Sequence, residues 1–386
     1  MPSLRLAPAS TSDFRDLAER RLPRQLFDYV DGGAYGENTL RANVDDLQRL
    51  RLRQRVMRDV SMLDTSVKLF GTRMAMPLVL APIGRGGMMA RRAEVQAKRA
   101  ADAAGVPFCL STVAVCPIGE VAAVSRAPFW FQLYMLRDRG AVKEMLERAA
   151  TAGVRTLAFT VDLAILGTRW RDIRNGFGAE AGSWARLRSG PLSYLLHPDW
   201  AYDVGVKGKP HVFGNLVAYV PGGKSPADFT QWITGQVDAS VTWKDIEWLR
   251  SVWKGDLVIK GVLTAEDATE AVNAGADGVI VSNHGGRQLD GVSSSIAALP
   301  PIAEAVGDRA AVLMDGGVRS GLDVVKAVAS GAKAVLIGRP WVYAVAARGE
   351  NGVAALLKNF QSEMRVAMSL TGARNVAEIT YDILDR

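Results

Sequence analysis

Residues 278–290 read Gly278-Val-Ile-Val-Ser-Asn-His-Gly-Gly-Arg-Gln-Leu-Asp290. A short run of β-branched residues ends in a histidine, two glycines and an arginine. The run is apolar at consecutive positions rather than alternate ones. It therefore reads as a strand covered on both faces, which is the mark of a parallel sheet. His284 is one of only three histidines in the chain. It stands where the strand gives way to backbone that bends freely, with a fixed cation, Arg287, three residues on. A proton acceptor beside a guanidinium suits chemistry on an anion.

Outward from this stretch the same pattern recurs. Strands are expected at 78–82, 108–112, 129–134, 156–162, 257–260, 278–282, 311–315 and 334–338. Segments with apolar 3–4 spacing follow most of them, at 93–104, 142–152, 265–274 and 324–329. Gly153, Gly275 and Gly331 sit where those helices should stop. Eight strand–helix units make an α/β fold of the (β/α)8 TIM-barrel type. Residues 1–70 precede it as a helical N-terminal extension, with helices expected at 14–20, 25–30 and 38–51. Most strand starts lie about 20–35 residues apart, as such units require. The fourth and fifth are separated by about a hundred, so residues 163–238 read as a long insertion in the fourth βα loop. The helix after it would be capped by Ser240 or Thr242. The insertion carries Trp184, Tyr194, Trp200, Tyr202 and Phe213 together with Arg186, Arg188, Lys207 and Lys209. The whole chain, 1–386, reads as one domain.

Composition narrows the function classes. The two cysteines, Cys109 and Cys116, make neither a disulfide framework nor a metal site, and a reducing compartment is expected. The first residues lack an apolar secretion signal, and no run is long enough to span a membrane. The net charge of +7 attracts anions. The basic residues are scattered, though, and Arg49-Leu-Arg51-Leu-Arg53 alternates with leucine, which argues against a nucleic-acid binder.

In a barrel the C-terminal strand ends build the active site. Here they present Tyr134, Asp162, Lys260, His284 with Arg287, Asp315 with Arg319, and Gly338 with Arg339. Each alone has an ordinary structural reading: an interface tyrosine, a helix cap, a loop lysine, a turn histidine. One architecture brings them all to one mouth. Asp315-Gly-Gly-Val-Arg-Ser-Gly321 and Ile337-Gly-Arg339 follow strands seven and eight, where barrels bind phosphate, and they combine glycine backbone with arginine forks. A phosphorylated ligand is expected there, with Lys260 near its middle, His284 and Arg287 above it, and Asp162 as the partner of His284.

Ser282–Asp290 resembles the signature of the FMN-dependent α-hydroxy acid dehydrogenase/oxidase family, and the likeness runs from Leu22-Pro-Arg-Gln-Leu-Phe-Asp-Tyr29 to Ile379. Asp31-Gly-Gly-Ala-Tyr35, Leu110-Ser-Thr-Val-Ala-Val-Cys-Pro117 and His197-Pro-Asp-Trp200 resemble the bacterial quinone-linked L-lactate dehydrogenases within it. The resemblance implies FMN as cofactor and His284 as catalytic base, paired with Asp162. It implies Arg287 and Tyr29 on the substrate carboxylate with Arg169 assisting, and Tyr134 on the substrate hydroxyl or ketone. Lys260 would stand by the N1/O2 edge of the flavin. Pro82, Ile83 and Gly84 would face N5, and Ser111, Gln132, Thr160 and Ser282 would bond the isoalloxazine. Asp315, Gly317, Arg319, Gly338 and Arg339 would bind the ribityl chain and phosphate. It also implies a quinone or other respiratory-chain acceptor, peripheral contact with the cytoplasmic face of the inner membrane through the insertion, and a homotetramer. Val113 and Val30 stand where plant glycolate oxidases carry tryptophan and tyrosine, and Gly84 where oxidases carry alanine. These departures favour a dehydrogenase with room for a substrate side chain. Arg85 stands where the lactate enzymes are expected to carry an apolar residue. A mandelate-type dehydrogenase and an O2-using oxidase are the alternatives within the family. A Schiff-base aldolase built on Lys260 is the alternative outside it.

Overall fold

The computed structural model describes residues 7–176, 191–220, 222 and 226–385. Eight parallel strands form the expected barrel: β1 (Leu78–Leu80), β2 (Cys109–Ser111), β3 (Trp130–Leu133), β4 (Thr156–Thr160), β5 (Asp256–Val262), β6 (Gly278–Val281), β7 (Ala311–Asp315) and β8 (Ala334–Ile337). Each pairs with the next, β8 pairs with β1, and a parallel bridge between Leu80 and Phe108 joins β1 to β2 and closes the ring. The outer layer is α1 (Ala93–Ala103), α2 (Ile118–Ala122), α3 (Arg139–Thr151), α4 (Trp243–Val252), α5 (Ala265–Asn273), α6 (Ser295–Val306), α7 (Gly321–Ala329) and α8 (Arg339–Thr371). α8 kinks at Arg348–Gly349.

The period of two splits each strand between two cores. Val79, Cys109, Trp130, Ala158, Val258, Ile280, Leu313, Ala334 and Leu336 point inward and fill the barrel. Their neighbours Leu78, Leu110, Phe131, Leu157, Ile259, Val281, Met314 and Val335 point outward into the helix layer. An antiparallel hairpin, Val67–Leu69 with Thr72–Met74, plugs the N-terminal end of the barrel. Phe70 at its tip packs on Trp130 at 5.8 Å. Inward positions one step further along the strands are therefore the ones that reach the open C-terminal mouth. Gln132 and Tyr134 follow Trp130, Thr160 and Asp162 follow Ala158, Lys260 follows Val258, and Asp315 follows Leu313.

Helices Thr11–Arg21, Arg24–Asp31 and Asn38–Arg49 bear out the expected N-terminal extension. Its last part is not helical: Arg51–Leu52 pairs with Leu384–Asp385, and the plugging hairpin starts at Val67. α4 is capped by Thr242, which forms a capping box with Asp245, rather than by Ser240, whose hydroxyl donates to Asp238. The fourth loop is partly helical (Trp170–Arg174, Pro191–Leu195, Pro198–Trp200, Pro226–Gln236) and closes back onto the end of β3 through a bridge between Leu136 and Val237. Trp184, Arg186 and Arg188 lie outside the described residues. The other aromatics of the insertion do not share one surface. Trp200 and Phe213 are buried. The Trp200 indole donates to the Met88 carbonyl at 2.9 Å, and Phe213 packs edge-on against Phe229.

Candidate active site

A cavity of about 1560 Å³ opens at the C-terminal mouth. Tyr29, Pro82, Ile83, Gly84, Gln132, Tyr134, Thr160, Arg169, Lys260, His284, Arg287, Asp315, Gly317, Arg319, Gly338 and Arg339 all line it. Asp162, Ser111 and Ser282 do not, and stand one layer behind. The Ser111 hydroxyl donates to Gln132 Oε1 at 3.0 Å, and Ser282 Oγ meets Lys260 Nζ at 2.9 Å.

His284 follows β6 with its backbone in the left-handed region (φ 57°), held by its N–H on Ser282 Oγ at 3.0 Å. Its Nδ1 lies 2.8 Å from Asp162 Oδ1. Burial works against ionisation of Asp162, but His284, then Lys260, outweigh it and hold the carboxyl below its ordinary range. An ionised carboxylate only accepts, so Nδ1 carries the proton and Nε2 is left as the proton-accepting nitrogen. Gly261 makes this pair possible. Its φ is +108°, and a Cβ there would lie 2.6 Å from the Cβ of Asp162.

Arg287 donates through Nη1 to the carbonyls of Tyr29 (2.6 Å) and Gly32 (2.8 Å), and its guanidinium stacks 4.9 Å from the centre of the Tyr29 ring. Arg169 leans on the same strand end, its Nε donating to the Arg287 carbonyl at 3.3 Å. Burial and the charge of Arg287 push Arg169 down to about 10. Tyr134 is pushed well above the ordinary tyrosine range by burial and by Asp162, so it enters the cavity as a neutral hydroxyl. The helix carrying Tyr29 is anchored by Asp31, which accepts from Arg15 (2.6 Å), Tyr343 (2.7 Å) and Arg171 (2.7 Å). Arg171 also donates to Glu37 at 2.8 Å, so one guanidinium ties the fourth loop to the N-terminal segment.

Deeper in the cavity Lys260 Nζ lies 2.9 Å from Asp315 Oδ2. Burial opposes its charge, but Asp315 and Asp162 overcome this and raise its pKa. At the far end Arg339 donates to the carbonyls of Val30, Gly285 and Gly32 at 2.8–3.0 Å. It therefore clamps backbone as well as facing the cavity. Gly317 also does work other than the expected one. A Cβ there would sit 1.9 Å from the Asn43 carbonyl, so its missing side chain admits the helix Asn38–Arg49. Arg85, which the sequence marks as an added cation near the flavin edge that bears on substrate choice or potential, lines the cavity, and so does Asp172, to which sequence reasoning gave no role. Burial raises Asp172 against the pull of Arg287 and Arg169.

The chain is similar to proteins of known activity over nearly its whole length. It is 57% identical to an L-lactate dehydrogenase of Caulobacter vibrioides (strain NA1000 / CB15N) over 376 residues, 97% of each chain. It is 55% identical to an L-lactate dehydrogenase of Allorhizobium ampelinum over 378 residues, 98% of this chain and 99% of the relative. Among solved structures, monotopic membrane protein (S)-mandelate dehydrogenase superposes with a TM-score of 0.91 at 35% identity, covering 98% of this chain and 100% of that one. Mandelate oxidase with (S)-4-hydroxymandelic acid superposes at 0.84 and 36% identity, covering 98% of each chain.

The cavity fits a flavin mononucleotide on its own chemistry. Gln132 Nε2, Thr160 Oγ1 and Asp315 Oδ1 are buried on its wall without a hydrogen-bond partner among the described residues. Buried polar groups of this kind call for a ligand. A donor amide and a hydroxyl suit the carbonyls and ring nitrogens of an isoalloxazine, and a carboxylate suits a ribityl hydroxyl. Burial and the neighbouring charges of Arg287 and Arg319 oppose the charge of Arg339, at the strand end where α8 begins, and an anion such as phosphate relieves that opposition. Residues 18–386 match the family described as FMN-dependent dehydrogenase, and with this barrel and this cavity the chain belongs to that family, with FMN as its cofactor.

Proposed function

We propose that the protein oxidises L-lactate to pyruvate and passes the electrons to a quinone or another respiratory-chain acceptor. The observation that carries the reading is the His284–Asp162 pair facing Arg287 and Tyr29 across one cavity. The high identity to two L-lactate dehydrogenases supports the choice of acid. Arg287, with Tyr29 and Arg169, holds the substrate carboxylate, since a planar guanidinium matches a carboxylate's two oxygens. The neutral Tyr134 hydroxyl donates to the substrate oxygen as it becomes a ketone. His284 Nε2 accepts the proton the substrate loses, and Asp162 stabilises the imidazolium that results. Bound FMN supplies the two-electron acceptor for the substrate carbon, and Lys260 offers positive charge on the wall where negative charge develops.

Ser111 and Ser282 hold Gln132 and Lys260, the side chains that line the cavity beside them. Among the described residues no helix is long and apolar enough to cross a membrane. Leu195, Leu196, Tyr202 and Val206 are exposed on the insertion, with Lys207 over the Tyr202 ring at 4.4 Å. This set supports peripheral contact with an anionic membrane surface at the cytoplasmic face. A homotetramer, in which the whole chain acts as one domain, belongs to the same proposal, and light scattering of the purified protein tests it. A mandelate-type substrate is the second reading, favoured by the fold neighbours. Turnover of L-lactate with a soluble ubiquinone analogue tests the main one. Pyruvate with little peroxide is the expected product. Stoichiometric peroxide would instead make the protein an oxidase, and turnover confined to mandelate would select the second reading.

A further inference from the structure

A second cavity, of about 590 Å³, lies on the flank of the barrel and shares no lining residue with the active-site cavity. Arg21, Arg91, Arg92, Arg99 and Arg348 all line it. They come from separate parts of the chain. Arg21 ends the helix Thr11–Arg21, Arg91 and Arg92 lead into α1, Arg99 stands further along α1, and Arg348 lies at the kink of α8. The helix Thr11–Arg21 and α1 both pack against α8, which is what gathers these cations. The kink itself is built into that packing. A Cβ on Gly349 would lie 2.6 Å from Gln96 Oε1, which accepts from the Glu350 N–H at 2.7 Å. The glycine lets α8 meet α1 and sets Arg348 and Glu350 at the edge of the cavity.

The carboxylates present do not balance this charge. Glu120, Asp203 and Glu350 line the cavity, three against five arginines. Glu120 is taken by Arg92, whose Nε donates to it at 2.6 Å. Asp203 is shared between Arg91 at 3.2 Å and Arg21 at 3.5 Å, and Glu350 lies 3.7 Å from Arg99. These three contacts are longer than the roughly 2.7–2.9 Å of a strong charge-assisted hydrogen bond. Arg21 Nε is buried and has no hydrogen-bond partner among the described residues, and such a donor calls for a ligand. α1 starts here without a side-chain cap, so its macrodipole adds to the positive potential. Guanidinium groups arriving from several directions match the oxygens of a tetrahedral phosphate better than the two of a planar carboxylate.

We propose that this cavity is a second anion site, separate from the flavin's own phosphate end, and that it takes a phosphate group carried by an anionic lipid head or by a free phosphate compound. The lipid source rests on the reading of the insertion as a peripheral membrane contact. Asp203 stands on the segment Ala201–Val206 of that insertion, whose Tyr202 and Val206 are exposed, so the cavity borders the surface set against the membrane. The site itself rests on the arginines and stands without that reading.

Two probes test it on the FMN-loaded holoenzyme. Pyrophosphate is titrated calorimetrically, and sedimentation is measured with phosphatidylcholine vesicles with and without phosphatidylglycerol. Pyrophosphate should bind at a single site per chain with FMN retained. Arg91→Gln combined with Arg99→Gln should weaken that binding by about 10- to 100-fold. Arg53→Gln combined with Arg55→Gln, at exposed arginines outside the cavity, should leave it nearly unchanged. Neither Arg91 nor Arg99 lines the active-site cavity, so the flavin spectrum checks that the double variant is folded, and the single substitutions serve in its place where it is not. Loss of the phosphatidylglycerol-dependent vesicle binding in the Arg91/Arg99 variant identifies the lipid head as the source. Vesicle binding unaltered by that variant, with pyrophosphate binding weakened, identifies a free phosphate compound. A protein that binds neither kind of vesicle overturns the peripheral-contact reading and leaves the site to the pyrophosphate result. The inference is overturned when the wild type binds neither probe, when the Arg91/Arg99 variant alters neither, when the control pair loses as much affinity, or when pyrophosphate binds only by releasing FMN.

Discussion

Replacing Asp162 by asparagine should slow substrate oxidation by about three orders of magnitude while leaving the protein folded and flavin-bound. Asp162 Oδ1 lies 2.8 Å from His284 Nδ1, and the two side chains are 13% and 20% exposed. With charge spread over ring and carboxylate, the centres are ~4 Å apart. At an effective dielectric of about 20 their attraction is then about 4 kcal/mol. The attraction exists in full only when His284 is an imidazolium, after it has taken the substrate's proton. It therefore lowers the barrier more than it stabilises the resting enzyme. About 4 kcal/mol is about three decades in rate. The amide is nearly the same size and can still touch Nδ1, so packing against Gly261 is preserved. The assay is stopped-flow bleaching of the flavin by L-lactate under anaerobic conditions, with the absorption spectrum as the check on cofactor content. A rate within threefold of the wild type would refute the assignment of Asp162 as the charge that stabilises protonated His284.

Lys260→Met should destabilise the fold by about 3–5 kcal/mol, because it leaves the Asp315 carboxylate buried without its cation. Pairing it with Asp315→Leu should recover much of that loss in a urea-unfolding cycle. Gly317→Ala should be destabilising by about 1–3 kcal/mol, since the position has φ +84° and the new methyl would overlap the Asn43 carbonyl. A lower unfolding midpoint together with weaker FMN retention is the expected result. Burial alone would raise the Asp31 pKa, but hydrogen bonds from Arg15, Tyr343 and Arg171 hold it far below the ordinary 3.8. A depressed carboxylate stabilises the fold fully above its unfolded value, and the contribution is lost as the pH falls through that value towards the folded one. Asp31→Asn should therefore lower stability at neutral pH and narrow the gap between neutral pH and about pH 3, measured by urea midpoints.

The barrel was legible because its strands are short, apolar and evenly spaced, and because a strand's period of two carries on past its end. Gln132, Thr160, Lys260 and Asp315 continue the inward parity of Trp130, Ala158, Val258 and Leu313. A reading of strand ends alone thus brings them to one mouth. Local pattern does not encode contacts between segments far apart in the chain. Lys260 faces Asp315 across the intervening strand β6, and Arg339 gathers carbonyls from Val30, Gly32 and Gly285. Gly317 looks like a phosphate glycine in sequence, yet its missing side chain admits the N-terminal helix. The aromatic content of the insertion suggested a membrane face. Trp200 and Phe213 instead dock on the barrel, because the loop must first cover the mouth it surrounds. Exposed apolar residues of the insertion include Leu195, Leu196, Tyr202 and Val206.

Anaerobic addition of L-lactate to the purified yellow protein, with D-lactate as the control, tests the central claim most directly. The account predicts that L-lactate bleaches the visible flavin band and yields pyruvate, while D-lactate leaves the spectrum unchanged, because Arg287 and Tyr29 hold the carboxylate on one side of His284. A flavin that neither enantiomer reduces, or that both reduce alike, would contradict it.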